Sequence, residues 1–137
     1  MSQPFIDTNI IIRYFTENPQ TTKTYQGVFP FFSRLETGEL VAELPELVVF
    51  EAYYVLTKIY NIDQAEVAQN LAVIIPFKGI VMHNKPIIIA TLEFLQTKKT
   101  DLVDAYLITA SKHSKTKGVY SYDKGFAKQG LKLLPIE

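Results

Sequence analysis

Apolar positions along this 137-residue chain follow two rhythms. Short continuous runs alternate with longer stretches in which apolar residues recur every three or four positions, which is the contrast between buried strands and amphipathic helices. Residues 3–7 read as a first strand. Thr8-Asn9 follow as a cap, and Ile10 to Phe15 form a short helix, since side chains of this type accept the free N–H groups of a first turn. Residues 20–38 predict a second helix, with Gly38 as its C-terminal stop. Leu40 to Glu43 is a strand. Pro45 then suits the first turn of a helix whose apolar positions are Leu47, Val48, Phe50, Tyr54, Val55 and Ile59. Asp63 opens a helix running to about Ile75. Gly79 to Met82 is a strand, residues 85–97 a helix, and Asp101 caps another helix with Leu102, Ala105, Leu107, Ile108 and Ala110 on its apolar side. Gly118 to Ser121 is a strand, residues 124–129 a short helical piece, and Lys132 to Pro135 a last strand.

Strands alternating with helices predict a parallel sheet covered on both faces. The expected fold is α/β, a three-layer α/β/α domain over residues 1–137 with a central, mainly parallel sheet of four or five strands. No repeat, low-complexity tract or linker divides it. In such sheets ligands bind beyond the carboxyl ends of the strands, and Asp7 and Asp123 both fall at such ends.

With 47% hydrophobic residues the chain has the material for a core, and with no cysteine it has neither disulfides nor thiolate ligands. The opening MSQPFIDTN has no basic region and no apolar segment of a signal peptide. No apolar run approaches the roughly 20 residues of a membrane helix. The expected setting is the cytoplasm, away from membranes. Net charge is zero, which argues against a general polyanion binder. The charge is unevenly spread, however: residues 98–137 carry 8 Lys and 4 Asp/Glu, and residues 1–97 carry 6 Lys/Arg and 10 Asp/Glu. A basic C-terminal third suits contact with a phosphate backbone, although on charge alone a solvated lysine face is the simpler explanation.

Four carboxylates fall where such a sheet would gather them: Asp7 after the first strand, Glu51 in LVVFEAYYVL, Asp104 one turn into the helix that Asp101 starts, and Asp123 after GVYS. Each has a plain structural explanation when taken alone: a helix cap for Asp7, a lysine partner or solvent for Glu51, a turn for Asp123 in YDKG. Asp101 is most simply an N-cap. Placed together they repel one another unless a cation sits among them. A charged glutamate inside so apolar a helix needs compensation in the same way. Oxygen donors select hard ions such as Mg²⁺ or Mn²⁺, and such an ion suits phosphoryl chemistry.

These segments, in this order, resemble the PIN-domain ribonucleases, in particular the VapC-like toxins of type II toxin–antitoxin pairs. FIDTNIIIRYFTENP resembles the family's opening strand, Asp-Thr-Asn triplet and helix; VVFEAYYVL, TDLVDAYLITAS and GVYSYDKGF resemble the segments that carry its second, third and fourth acids. The resemblance implies a metal-dependent endoribonuclease that hydrolyses RNA phosphodiester bonds with a metal-activated water. Asp7, Glu51, Asp104 and Asp123 would be both catalytic residues and ligands of Mg²⁺ or Mn²⁺. Asn9 and Ser121 would orient carboxylates or waters, Asp101 would extend the acidic rim, and Arg13, Lys124 and Lys128 would hold the RNA backbone. The partners implied are RNA, a separately encoded antitoxin seated in a hydrophobic groove, and a second copy in a homodimer. Gly125 departs from the pattern, standing where many members carry a further Asp.

Two other readings compete. In one, the same fold is an RNA-binding or assembly module with weak or no catalysis; the four intact acids count against it. In the other, the chain is a phosphatase on a doubly wound sheet, but that reaction asks for a second Asp two residues after the first, where this chain has Asn9. His83 and His113 read as surface residues, and Tyr53 and Tyr54 as core or dimer surface.

Overall fold

The computed structural model describes residues 3–137. Seven α-helices and four short strands are formed among the described residues. Helix α1 spans Thr8–Thr16, α2 Val28–Thr37, α3 Glu46–Tyr54, α4 Gln64–Ile74, α5 Lys85–Thr97, α6 Leu102–Lys112 and α7 Gly125–Lys128. Strand β1 is Ala42–Glu43, β2 Ile80–Val81, β3 Gly118–Tyr120 and β4 Lys132–Leu134.

Both strand pairs are parallel, as the alternation predicts, but they are separate pieces. β1 pairs with β2, Ala42 opposite Ile80, and β3 pairs with β4, Gly118 opposite Lys132. The segment expected as a first strand joins the first piece through a single parallel bridge, Phe5 to Glu43. Two bonds secure it: Ile6 N–H donates to Glu43 O (2.9 Å) and Glu43 N–H donates to Pro4 O (2.8 Å). The ladder is closely fitted at Gly79. A Cβ there would lie 2.0 Å from Leu40 O and 2.9 Å from Leu35 O, so only glycine lets the chain enter β2 beside β1.

Three helices differ from the sequence expectation. The cap of α1 is Asp7, whose Oδ1 accepts the Thr8 N–H at 2.8 Å, so the helix begins one to two residues earlier than Thr8-Asn9 capping requires. The predicted helix 20–38 is α2 alone, because turn chemistry claims residues 18–22. There Asn18 Oδ1 accepts from Gln20 N–H (2.8 Å) and Asn18 O from Thr22 N–H (2.9 Å), alternatives that asparagine offers the backbone in place of a helix. Gly38 ends α2 in the left-handed conformation, φ 84°, as expected. Helix α3 continues into a π-helical turn, Val55–Ile59, in which Tyr60 N–H reaches back five residues to Val55 O at 3.1 Å. Single π turns of this kind are frequently found at functional sites.

The core lies between the first strand piece and helices α1 to α6. It is built from Ile6, Ile11, Phe32, Leu44, Val49, Leu71, Ile88 and Leu92, each at most 2% exposed. Burying each such side chain is worth about 1.5–3 kcal/mol. A second, smaller cluster of Ile108, Phe126 and Leu131, with Phe94, Val119 and Leu133 against it, seats the β3–α7–β4 unit on α5 and α6. That seat brings Asp123 to Asp104. Between α5 and α6 the hydroxyls of Thr91 and Thr109 meet at 2.6 Å in the interior.

Candidate active site

The four carboxylates stand as two pairs. Asp7 is fixed by capping α1, and the next residue, Thr8, donates its hydroxyl to Glu51 Oε1. Thr8 is buried, whereas Asp7 and Glu51 are exposed. Glu51 thus reaches solvent, one of the plain readings its sequence setting leaves open. Helix α3 is apolar nearly all round, so its sequence does not announce which side meets solvent, and the Glu51 side is the one that faces out toward α1. Asp7, Thr8, Asn9, Glu51 and Val55 line one open depression of about 360 Å³.

The second pair is Asp104 and Asp123. Asp101 caps α6 by accepting the Asp104 N–H at 2.9 Å, which fixes Asp104 in the first turn. Ser121 Oγ accepts the Asp123 N–H at 2.9 Å, and Asp123 Oδ1 accepts the Gly125 N–H at 2.8 Å, so Asp123 is held in a tight turn past β3. A Cβ at residue 125 would lie 3.0 Å from Asp123 Oδ1. A side chain there would crowd the carboxylate. Asp104 and Asp123 share a cleft of about 230 Å³ with Lys98, Lys99 and Phe126.

The two pairs belong to packed neighbours. Phe50 precedes Glu51, Tyr106 lies two residues after Asp104, and their rings meet edge to face at 5.6 Å. Among the described residues no three carboxyl or imidazole groups converge closely enough to hold one ion together. The ion pairs among the described residues are Arg13–Glu17 and Arg34–Glu39, so none of the four acids meets a Lys or Arg at that range. Asp104 feels this: burial, then the charges of Asp101 and Asp123, push its carboxyl above the usual aspartate value of 3.8. A cation would relieve both causes.

Comparison with known families is decisive: the profile of the PIN domain matches residues 5–131. The chain belongs to the PIN domain family. Among curated proteins and among solved structures, nothing matches the chain. The PIN domain is a three-layer α/β/α fold and generally a nuclease, usually working with divalent ions such as Mg²⁺. The donor set of this PIN domain suits such an ion. It is all carboxylate and hydroxyl oxygen with no cysteine, and Mg²⁺ is ordinarily held by one or two carboxylates while keeping several waters. Either pair could supply that protein share.

The remaining predicted residues divide. Asn9 lines the Asp7–Glu51 depression, and Ser121 holds the Asp123 turn. Arg13 is engaged elsewhere: its guanidinium lies 4.1 Å from the Tyr25 ring centre and bonds Glu17 at 3.2 Å. Lys124 and Lys128 are exposed around α7, as are His83 and His113. Tyr53 is buried and Tyr54 is 40% exposed. The residue that sequence reasoning missed is Thr8. Its signal was present, a hydroxyl directly after a helix-capping aspartate, but its partner lies 43 residues away and no local pattern names it. No helix among the described residues is long and apolar enough to cross a membrane.

Proposed function

We propose that this PIN domain is a metal-dependent endoribonuclease and the toxin of a toxin–antitoxin pair, with Asp7, Glu51, Asp104 and Asp123 around the scissile phosphodiester. The observation that carries it is the position of Asp104 beside Asp101 and Asp123, none of the three held in an ion pair among the described residues; burial first and these two carboxylates next push its carboxyl up. A group of like charges left without a protein counter-charge is costly to maintain unless a function uses it.

When bound, Mg²⁺ or Mn²⁺ supplies positive charge at the phosphoryl oxygens and acidifies a water. The chain's own residues do the rest. Thr8 orients the Glu51 carboxylate, Asp101 fixes the start of α6 and with it Asp104, and Ser121 with the Gly125 N–H fixes Asp123. Asp104, whose carboxyl is pushed up by burial and by its acidic neighbours, is the one of the four acids best suited to hold or pass a proton. Asn9 borders Asp7 and can orient a water there.

The antitoxin reading is supported by an open apolar groove of about 420 Å³ lined by Phe5, Ile6, Ile10, Val28 and Phe31, with Phe5 69% exposed. A second copy would cover exposed side chains such as Leu47, 79% exposed. The test is cleavage of single-stranded RNA with Mg²⁺ or Mn²⁺ and with EDTA, alongside Asp7→Asn, Glu51→Gln and Asp123→Asn. The expected result is cleavage by the unaltered chain with either ion, none with EDTA, and none by the variants. Full cleavage by all three variants would reject the site.

A further inference from the structure

The cleft of Asp104 and Asp123 does not end at those acids. Lys99 and Thr100 line it, and the same two residues line a second cleft of about 430 Å³ whose other walls include Tyr54, Lys58, Ile62, Asp63 and Asp101. The loop between α5 and α6, Lys98 to Asp101, is therefore a ridge with the acidic pair on one side and a tyrosine-walled cleft on the other. Lys98 and Lys99 are exposed, and neither is held in an ion pair among the described residues.

The second cleft is built. Helix α3 would carry Tyr54 and Lys58 on one turn, and the π turn Val55–Ile59 brings Thr57 and Lys58 to the wall. Buried Tyr53 braces Tyr54, ring centres 6.1 Å apart and nearly perpendicular at 81°, so the exposed ring of Tyr54 is backed rather than free. Gln64 pins the far side, its Nε2 donating to Lys98 O (3.0 Å) and Leu95 O (3.2 Å). That bond ties the lysine loop to α4. A cleft of this size lies in the range of small-molecule sites, about 300–1,000 Å³. A backed aromatic ring beside ammonium groups is the combination that takes up single-stranded nucleic acid: bases stack on the ring and phosphates pair with the lysines.

We propose that the Lys98–Thr100 loop is the phosphate clamp of this domain, and that the nucleotide next to the scissile bond enters the Tyr54–Lys58 cleft with its base against Tyr54. The proposal rests on the ribonuclease reading and gives the RNA a direction: from the acidic pair, over Lys99, to Tyr54. Lys99 acts as the point charge at the crest and Thr100 as a neutral hydrogen-bond donor beside it. This assigns the RNA contacts to residues other than Arg13, which is spent on Tyr25 and Glu17. Lys124 and Lys128 are exposed but line neither cleft.

The experiment measures binding apart from cutting. A fluorescently labelled 12-nucleotide single-stranded RNA is titrated with the full chain in the Asp104→Asn background, and cleavage is followed separately in the otherwise unaltered chain. Lys99→Ala is expected to weaken binding several-fold at 0.1 M salt and to lower the salt slope by about 0.7, the value for one phosphate contact on a single strand. Tyr54→Ala is expected to weaken it about tenfold with no change in slope, and Tyr54→Phe to bind normally. Lys78→Ala, an exposed lysine outside both clefts, should leave affinity and slope unchanged. Binding within twofold of the starting protein in both Lys99→Ala and Tyr54→Ala, with cleavage intact, overturns the clamp and leaves the nuclease standing. Binding that depends on Lys99 and Tyr54 in a chain that never cleaves RNA sustains the clamp and overturns the nuclease.

Discussion

Thr8 donates its hydroxyl to Glu51 while its own N–H is held by Asp7, so one residue ties two acids from α1 and α3 together. Thr8→Val keeps the shape and removes the donor. The Glu51 carboxylate then loses its fixed rotamer, and supports of this kind typically govern 10- to 100-fold in metal affinity or activity. Stability should fall by only about 0.5–1.5 kcal/mol, the net worth of one hydrogen bond. Thr8→Ser should restore cleavage. The check is Mn²⁺ affinity by calorimetry beside cleavage rate and urea midpoint; a Thr8→Val protein that binds and cuts normally would reduce Thr8 to a packing residue.

Asp104 offers a prediction with a definite sign in pH. Its carboxyl is raised above 3.8 by burial first and by Asp101 and Asp123 next. The folded protein therefore holds this proton more tightly than the unfolded chain. The resulting stability is complete below the unfolded value and is lost as pH rises through the higher folded value. Above that window the ionised Asp104 is a cost. Asp104→Asn should then stabilise the metal-free protein at pH 7 and make little difference near pH 3. The group is partly exposed, so screening keeps the gain below about 1 kcal/mol, a rise in Tm of a few degrees. Cleavage should drop at least about 100-fold. Melting curves in EDTA at both pH values, beside RNA cleavage at pH 7, test the two halves separately; a destabilised Asp104→Asn at pH 7 would contradict the charge argument.

The same residues show what a sequence reveals and what it withholds. Helix α5 was legible to the residue over 85–97, and the start of α6 was legible because Asp101 is a plain cap. Residues 20–27 misled: they are expected to begin the helix that ends at Gly38, while Asn18 and its turn bonds hold the start of this segment out of a helix. The strand segments were found, yet their extent was not, since pairing depends on partners such as Glu43 and Pro4 that lie far apart in sequence. The placement of Asp7 and Asp123 after strand segments and of Asp104 in the first turn of α6 was legible, whereas Glu51, inside α3, has no such marker. The division of the four acids into two pairs was not legible, because it depends on the packing of α3 against α1 and of the β3–α7–β4 unit against α6, which no local pattern encodes.

Gly125 tests how closely Asp123 is set. A methyl group at this position would stand 3.0 Å from Asp123 Oδ1, so the carboxylate must shift by a few tenths of an ångström or give up the Gly125 N–H it accepts. Alanine is itself a better helix residue at the start of α7 by up to about 1 kcal/mol. Gly125→Ala should therefore leave Tm within a few degrees while cleavage falls several-fold, since small displacements of a reacting group are expensive. Gly125→Asp adds a like charge to the same crowding and should lower cleavage further without Mn²⁺ in excess. Unchanged cleavage in both would show that Asp123 is free to move.

Gly79 should be the least forgiving position in the fold. Its N–H donates to Leu35 O and its carbonyl accepts the Ala42 N–H, both at 2.8 Å, so the backbone of residue 79 is clamped between the end of α2 and β1. The atoms nearest a new Cβ are themselves backbone, Leu40 O at 2.0 Å and Leu35 O at 2.9 Å, and neither can rotate away as a side chain could. Gly79→Ala must pull β2 off β1, and the bond from Leu44 N–H to Val81 O (2.8 Å) goes with it. Large losses of this kind, above about 4 kcal/mol, are reserved for such unavoidable clashes. The expected outcome is a chain that expresses poorly or melts far below the parent, whereas Gly27→Ala, with open space around it, keeps the parent's stability. Urea denaturation of the pair decides the matter, and a Gly79→Ala protein within 1 kcal/mol of the parent would mean that β1 and β2 are not packed at the separation described.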